Sequence, residues 1–175
     1  MFYLYDRAAQ RRIRDLLPAV RLIAVLRDPV ERAHSNWAHL RGAGLEPEAD
    51  FGAALALEPT RIAAGWAHFW HYAAQGRYGE QLEHLYGLFP REQVLLVRYR
   101  ELRDAPVETT DRVCRFLGVD TGVLTGVPRA HVRPDVAGRT AGPTAAERAA
   151  ALPLFADDVP RVAALTGWDL ADWSR

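Results

Sequence analysis

The sequence predicts an α/β fold with a parallel sheet and a marked excess of helix. Two short, continuous apolar runs, Leu22–Leu26 and Val94–Val97, have the pattern of strands buried on both faces. Segments with helical spacing and recognisable caps flank both runs, so helix and strand alternate along the chain. Two strands against five or six helices are few for a stable parallel sheet, so at least one further strand is expected to be missing.

The elements follow in order. Asp6 caps a first helix whose apolar positions are Ala9, Ile13, Leu16 and Leu17, and Pro18 ends it. After the first strand, Asp28-Pro29-Val30-Glu31 opens a helix to about Arg41, with Asp28 as cap, Pro29 at the first helical position and Glu31 as the second half of a capping-box-like pair. A helix over Phe51 to Leu57 precedes an aromatic segment, Trp66 to Tyr72. Tyr78, Leu82, Leu85, Tyr86 and Phe89 mark an amphipathic helix stopped by Pro90. Beyond the second strand, Asp104 and Pro106 signal another helix start, and Gly118 closes that helix. From about Asp120 to Pro143 the chain is rich in Gly, Pro, Arg and Thr, a long loop. Thr144 with Glu147 forms a further capping box, and a mostly helical tail is interrupted at Pro153 and Pro160.

A chain of 175 residues, 49% apolar, is long enough for one domain with a sizeable core, and a single domain spanning 1–175 is expected. Zero formal net charge excludes a bulk field that would draw the protein to nucleic acid or an anionic membrane, so any anion site must be local. Cys114 is the sole cysteine, the N-terminus has no basic region followed by a long apolar run, and no apolar stretch approaches the ~20 residues that span a bilayer. A cytoplasmic protein is expected. All 22 basic residues are arginine. Arginine and alanine dominate together, which is first of all a mark of codon bias, but it also removes every mechanism that needs an ammonium group.

The segment Arg21-Leu-Ile-Ala-Val-Leu-Arg27-Asp28-Pro29-Val-Glu-Arg32-Ala-His-Ser35 carries the strongest chemical signal. An arginine at the carboxyl end of a buried strand points toward the crevice where doubly wound sheets bind ligands, and a hydroxyl two turns into the next helix can face the same space. Arg27 and Ser35 then grip one phosphate; alternatively Arg27 pairs with a carboxylate and Ser35 fills a small helical position. Spacing alone leaves the two readings even.

Strand, Arg-Asp-Pro-x-x-Arg-Ala-x-Ser, and an aromatic residue at Trp37 resemble the 3′-phosphate-binding motif of the sulfotransferases, in particular their bacterial and heparan-sulfate-type branch. Gly76-Arg77-Tyr78-Gly79-Glu80-Gln81-Leu82, the second strand, Tyr99-Arg-Glu101-Leu102 and Phe116-Leu-Gly118 are similar, in order, to later landmarks of that family. Gly138-Arg139-Thr140 resembles the element with which heparan-type members close over the nucleotide, although Ala137 stands where a lysine often precedes it.

The resemblance implies a three-layer fold of the P-loop nucleotide-binding kind. It also implies transfer of a sulfuryl group from 3′-phosphoadenylyl sulfate (PAPS) to a hydroxyl or amine of a small-molecule or carbohydrate acceptor, without a metal. The cofactor-binding residues would be Arg27, Ser35, Gly138, Arg139 and Thr140. The family's upstream Gly-rich loop and its lysine, which cradle the 5′-phosphosulfate, have no counterpart before Arg21, and the general base is expected to be absent as well. The chain is therefore expected to be amino-terminally incomplete and inactive alone, with no catalytic residue assigned.

His34, His68 and His71 are not promoted to catalytic roles, and the His68/His71 pair has no carboxylate at metal-ligand spacing. Trp66, Phe69, Trp70 and Tyr72 line an acceptor pocket or, as the commoner case for aromatic clusters, pack in the core. Two rival readings remain open: a non-catalytic module that binds the nucleotide without turnover, and a helical interaction domain that has lost the ligand.

Overall fold

The structure is a computed structural model that describes residues 2–122, 126 and 142–175. In chain order the elements are α1 (Phe2–Tyr5), α2 (Arg7–Leu16), β1 (Leu22–Leu26), α3 (Pro29–Gly42), α4 (Phe51–Ala63), α5 (Tyr78–Tyr86), β2 (Val94–Arg98), α6 (Tyr99–Asp104), α7 (Pro106–Leu117), α8 (Ala145–Ala151) and α9 (Val159–Thr166). Single 3₁₀ turns lie at His68–Trp70, Ala74–Gly76, Arg91–Gln93, Leu152–Phe155 and Ala171–Ser174.

β1 and β2 pair in parallel, with Leu22 opposite Val94 and Leu26 opposite Arg98. Parallel neighbours need a long crossover, and α3, α4 and α5 supply it. The fold is thus α/β, helix-rich and built on parallel pairing. Leu22, Ala24 and Leu26 are buried, whereas Ile23 and Val25 are half-buried, so one face of β1 is more deeply covered than the other.

The chain divides into two compact units. One joins the segment up to Arg27 to the segment that starts at Leu82; the other joins Asp28–Gln81 to the C-terminal segment. In the first unit Leu4, Leu22, Leu26, Leu82, Leu85, Phe89 and Val97 form the core. The Tyr3 hydroxyl donates to the Ile23 carbonyl at 2.6 Å, which fastens α1 to β1, and burial pushes this phenol up to about 12. Buried Gln10 donates to the Leu4 carbonyl at 2.6 Å and sits 2.6 Å from His84 Nδ1. Arg21 donates to the Phe116 carbonyl at 2.6 Å, so the start of β1 is tied to the end of α7.

In the second unit Val30, Trp37, Phe51, Tyr72, Phe155, Val162 and Trp173 build the core. It holds a buried polar cluster as well. Glu46 accepts two hydrogen bonds from Arg61, both at 2.7 Å, one from the Tyr72 hydroxyl at 2.6 Å and one from the Glu48 amide at 2.7 Å. Burial alone would raise the Glu46 pKa; the Arg61, Tyr72 and Glu48 hydrogen bonds and the Arg61 charge outweigh it and hold the carboxyl below its usual range.

Local signals locate most helix ends. Asp6 accepts from the Ala8 and Ala9 amides, Thr144 and Glu147 form both arms of a capping box, and Gly118 ends α7 at φ 76°. Three boundaries differ from expectation, the first being α5, which ends at Tyr86, short of Phe89. Phe51 opens a helix that runs on to Ala63 through Pro59, and Asp104 ends a short helix, α6, instead of capping the next one, whose cap is Ala105. The Asp104 carboxylate is taken by its neighbour Arg103, at 2.6 and 2.9 Å.

Candidate functional site

The carboxyl ends of two parallel strands lie at the same edge of a sheet, the edge at which α/β proteins bind ligands. Because Leu26 pairs with Arg98, the residues that leave that edge are Arg27 and Tyr99. The half-buried Arg27 lies with its guanidinium carbon 4.9 Å from the centre of the Tyr99 ring, and Tyr99 is 37% exposed. Arg21 and Arg27 both flank β1 at opposite ends: the first donates to a helix carbonyl, and the second lies against Tyr99 at the carboxyl edge of the strands.

Asp28, the residue after Arg27, begins the second unit and caps α3 by accepting from the Glu31 amide at 2.9 Å. Its carboxylate also receives both arms of Arg148, at 3.1 and 2.6 Å, and Arg148 donates further to the carbonyls of Asp172 and Arg175. The hydrogen bond to Asp28 raises the already high pKa of Arg148. Ser35 lies two turns beyond Asp28 on the same side of α3, half-buried and off the stripe formed by Val30, Ala33, His34, Trp37 and Leu40.

The Gly76–Leu82 motif has a different character. A Cβ on Gly76 would come within 2.8 Å of Phe155, and one on Gly79 within 2.7 Å of the Asp158 carboxylate and 2.8 Å of Arg161. Buried Asp158 accepts from the Gly79 and Glu80 amides at 2.8 and 3.2 Å, capping α5 from far along the chain, and burial raises its pKa. Arg77 is held by Glu80, by Asp157 and by the Leu154 carbonyl. Every polar group of this motif that bonds the C-terminal segment serves packing; sequence reasoning saw the motif and not this job.

The aromatic segment splits. Tyr72 is fully buried, whereas Trp66 is 39% and Phe69 48% exposed, and Trp66 packs edge-on to Trp70 at 5.2 Å. Asn36 donates to the Phe69 carbonyl at 2.8 Å and Arg32 to that of Tyr72, so α3 holds the segment in place. The rings of His68 and His71 lie 5.2 Å apart, and among the described residues no group of three or more His, Cys, Asp or Glu is arranged to hold a metal ion. Gly138, Arg139 and Thr140, with Ala137, lie outside the described residues. No described helix is long and apolar enough to cross a membrane.

A parallel strand pair with an arginine at its carboxyl edge leads directly into a capped helix, so the chain is an α/β protein whose arginine lies at the edge where folds of this class bind ligands. Residues 12–132 match the model of the sulfotransferase domain, and the chain belongs to that family. It is 29% identical over 120 residues to the human bifunctional heparan sulfate N-deacetylase/N-sulfotransferase 3, covering 67% of this chain and 14% of that protein. It is 32% identical over 119 residues to the human heparan sulfate glucosamine 3-O-sulfotransferase 6, covering 67% of this chain and 33% of that protein. The crystal structure of a sulfotransferase from Alicyclobacillus acidocaldarius superimposes with a TM-score of 0.85 and 32% identity, over 99% of this chain and 65% of that one. The chain thus spans about two thirds of that bacterial neighbour and a third or less of those two human relatives.

Proposed function

We propose that this chain binds PAPS by its 3′-phosphate and serves transfer of the sulfuryl group to a hydroxyl or amine of a carbohydrate or small-molecule acceptor. One observation carries the reading: in a member of the sulfotransferase family, Arg27 stands at the carboxyl end of β1, next in sequence to a capped helix that bears Ser35 on its less buried side. The residues suit the ligand chemically. A guanidinium fork matches phosphate oxygens, and a serine hydroxyl donates a further hydrogen bond. The Asp28 carboxylate already caps the start of α3 through the Glu31 amide and puts a negative charge there, so in this reading side chains rather than helix amides carry the phosphate charge. Gly138, Arg139 and Thr140 close over the nucleotide in this reading. The heparan sulfate enzymes among the relatives favour a carbohydrate acceptor.

In the transfer, the acceptor oxygen or nitrogen attacks sulfur, the bond from sulfur to the nucleotide phosphate oxygen breaks, and the acceptor gives up its proton, leaving adenosine 3′,5′-bisphosphate. A cation usually stabilises the departing oxygen, a contribution of ~10²–10³ in rate. These 175 residues contain neither the lysine nor a Gly-rich loop of the family's kind to place such a cation, so in this reading they bind nucleotide by themselves without turnover.

The test is thermal melting with adenosine 3′,5′-bisphosphate. The melting temperature should rise with the bisphosphate and not with adenosine, and Arg27→Ala should abolish the rise, a loss of about 1.5–3 kcal/mol of binding. Equal stabilisation by adenosine would remove the phosphate from the reading. Protease cleavage between Thr121 and Pro143 should slow under saturating bisphosphate if Arg139 closes on it. Labelled PAPS with a panel of carbohydrate acceptors should give no product above background, and robust turnover would place the catalytic groups within these residues.

A further inference from the structure

We infer that Arg148 is a positioning residue that acts on the anion site through Asp28: its guanidinium neutralises the Asp28 carboxylate, so that the cap of α3 does not repel the phosphate. The inference rests on the reading of Arg27 and Ser35 given above and adds a residue from far along the chain. Its basis is a conflict of charge. Asp28 follows Arg27 directly and opens the helix that bears Ser35, and it caps that helix by accepting from the Glu31 amide at 2.9 Å. A carboxylate suits a helix start, but the same negative charge opposes a second anion brought near it.

Both arms of Arg148 meet that carboxylate, at 3.1 and 2.6 Å, and Asp28 is buried, so the pair is fixed in geometry and partly sheltered from screening. Capping by itself does not call for such a fork. Asp50 caps α4 through the Ala53 amide and Asp158 caps α5 through the Gly79 and Glu80 amides, and among the described residues neither carboxylate is hydrogen-bonded to an arginine. Of these three caps, the one that carries the fork is the one that adjoins Arg27. Arg148 is itself held by the carbonyls of Asp172 and Arg175. The hydrogen bond to Asp28, and then the charges of Asp28, Glu31 and Asp172, raise its pKa against the effect of burial, so it stays a cation among three carboxylates. Without it, the Asp28 charge would stand unanswered by this fork, one residue from Arg27 and two turns from Ser35.

Calorimetric titration with adenosine 3′,5′-bisphosphate and with adenosine 5′-phosphate tests this on Arg148→Gln, Asp28→Asn and the variant carrying both. Arg148→Gln should weaken binding of the bisphosphate about three- to thirtyfold and leave adenosine 5′-phosphate, which lacks the 3′-phosphate, unaffected. Asp28→Asn keeps an oxygen for the Glu31 amide and should bind the bisphosphate at least as tightly as the unmodified chain. The double variant loses the same contacts to the C-terminal carbonyls as Arg148→Gln but has no carboxylate at position 28, and should return to within about twofold of the unmodified chain. A double variant as weak as Arg148→Gln shows that Arg148 acts by packing and overturns the inference. Unchanged bisphosphate binding by Arg148→Gln, or equal weakening toward both nucleotides, overturns it as well. Weaker binding by Asp28→Asn does the same, and that variant decides the matter should Arg148→Gln fail to fold. Arg27→Ala in the same titration keeps the two readings apart: if it binds the bisphosphate normally, the site itself is wrong and Arg148 falls with it, whereas a loss there beside normal binding by Arg148→Gln removes Arg148 alone.

Discussion

Two arginine-bearing segments, Arg27 to Ser35 and Gly76 to Leu82, look alike in the sequence as family landmarks, and the structure uses them differently. Arg77 is clamped by Glu80 and Asp157, and its flanking glycines are closed against Phe155 and Asp158. Arg27 lies over a half-open tyrosine ring at the edge of a sheet. In a chain whose cations are all arginine, charge cannot separate structural from ligand-binding positions. A ring contact does not separate them either, because Arg61, whose fork is filled by Glu46, lies as near the Trp66 ring as Arg27 does to Tyr99, 4.9 Å in each case; place in the fold does, since Arg27 leaves the carboxyl end of β1 and Arg77 fastens the start of α5 to the C-terminal segment.

The strongest way to break this distinction is to remove an arginine from the structural class. Arg61→Ala leaves buried Glu46 without its countercharge and should cost about 3–5 kcal/mol in denaturant unfolding; a near-neutral result would show that a filled fork does not mark a structural arginine. Arg27→Ala should leave the ligand-free midpoint in place. Next, Gly79→Ala drives a Cβ to 2.7 Å from Asp158 and should cost about 1–3 kcal/mol. Its effect should not add to that of Asp158→Ala, since both disturb one contact.

A smaller effect is expected in the pH dependence. Glu46 titrates below the ordinary carboxylate range when folded, so its contribution is complete above its unfolded pKa of about 4.3 and fades as the pH falls through the lower folded value. Burial raises Glu58 and Asp158 despite the amides each accepts, so their contribution is complete below their unfolded values and is lost as the pH rises through the folded ones. Glu46→Gln should therefore flatten the loss of melting temperature below about pH 4, and Glu58→Gln should flatten the loss above it. The reverse pattern would place the buried charge at the wrong residue. Least of all, Asp104→Ala should leave the melting temperature unchanged, because its carboxylate serves an exposed Arg103 and caps no helix.

The division between what sequence revealed and what it concealed follows the range of the interactions. Both strands and the caps at Asp6, Asp28, Thr144 and Gly118 depend on neighbours within a few residues, and all are where local patterns put them. Asp104 carried the same local signal and failed as a cap because Arg103 takes its carboxylate. Asp158 stands directly before α9 but its side chain does not cap that helix; it caps α5 across the chain, which no local pattern reveals. In the site, the strand that ends at Arg27 was legible from its apolar run, whereas Tyr99 reaches Arg27 only through the register of a second strand. The split of the aromatic segment into buried Tyr72 and exposed Trp66 and Phe69 was hidden for a similar reason: composition counts rings without saying which of them α3 and Glu46 claim.

The Arg148 contacts with Asp28 bridge 120 positions, and those of Asp158 with Gly79 bridge 79. As the chain leaves the ribosome, α3 and α5 are made long before the side chains that secure their first turns. Closing such long loops costs entropy before any contact compensates it, so the second unit becomes complete late, after its own middle has been exposed to solvent. A nascent chain halted before Arg148 would hold the first turn of α3 by its local cap without the Arg148 clamp, and leave the Gly79 and Glu80 amides without the carboxylate that receives them. Arg148 and Asp158 thus reach back to helices too short to be stable alone, and supply part of the tertiary support that holds their first turns.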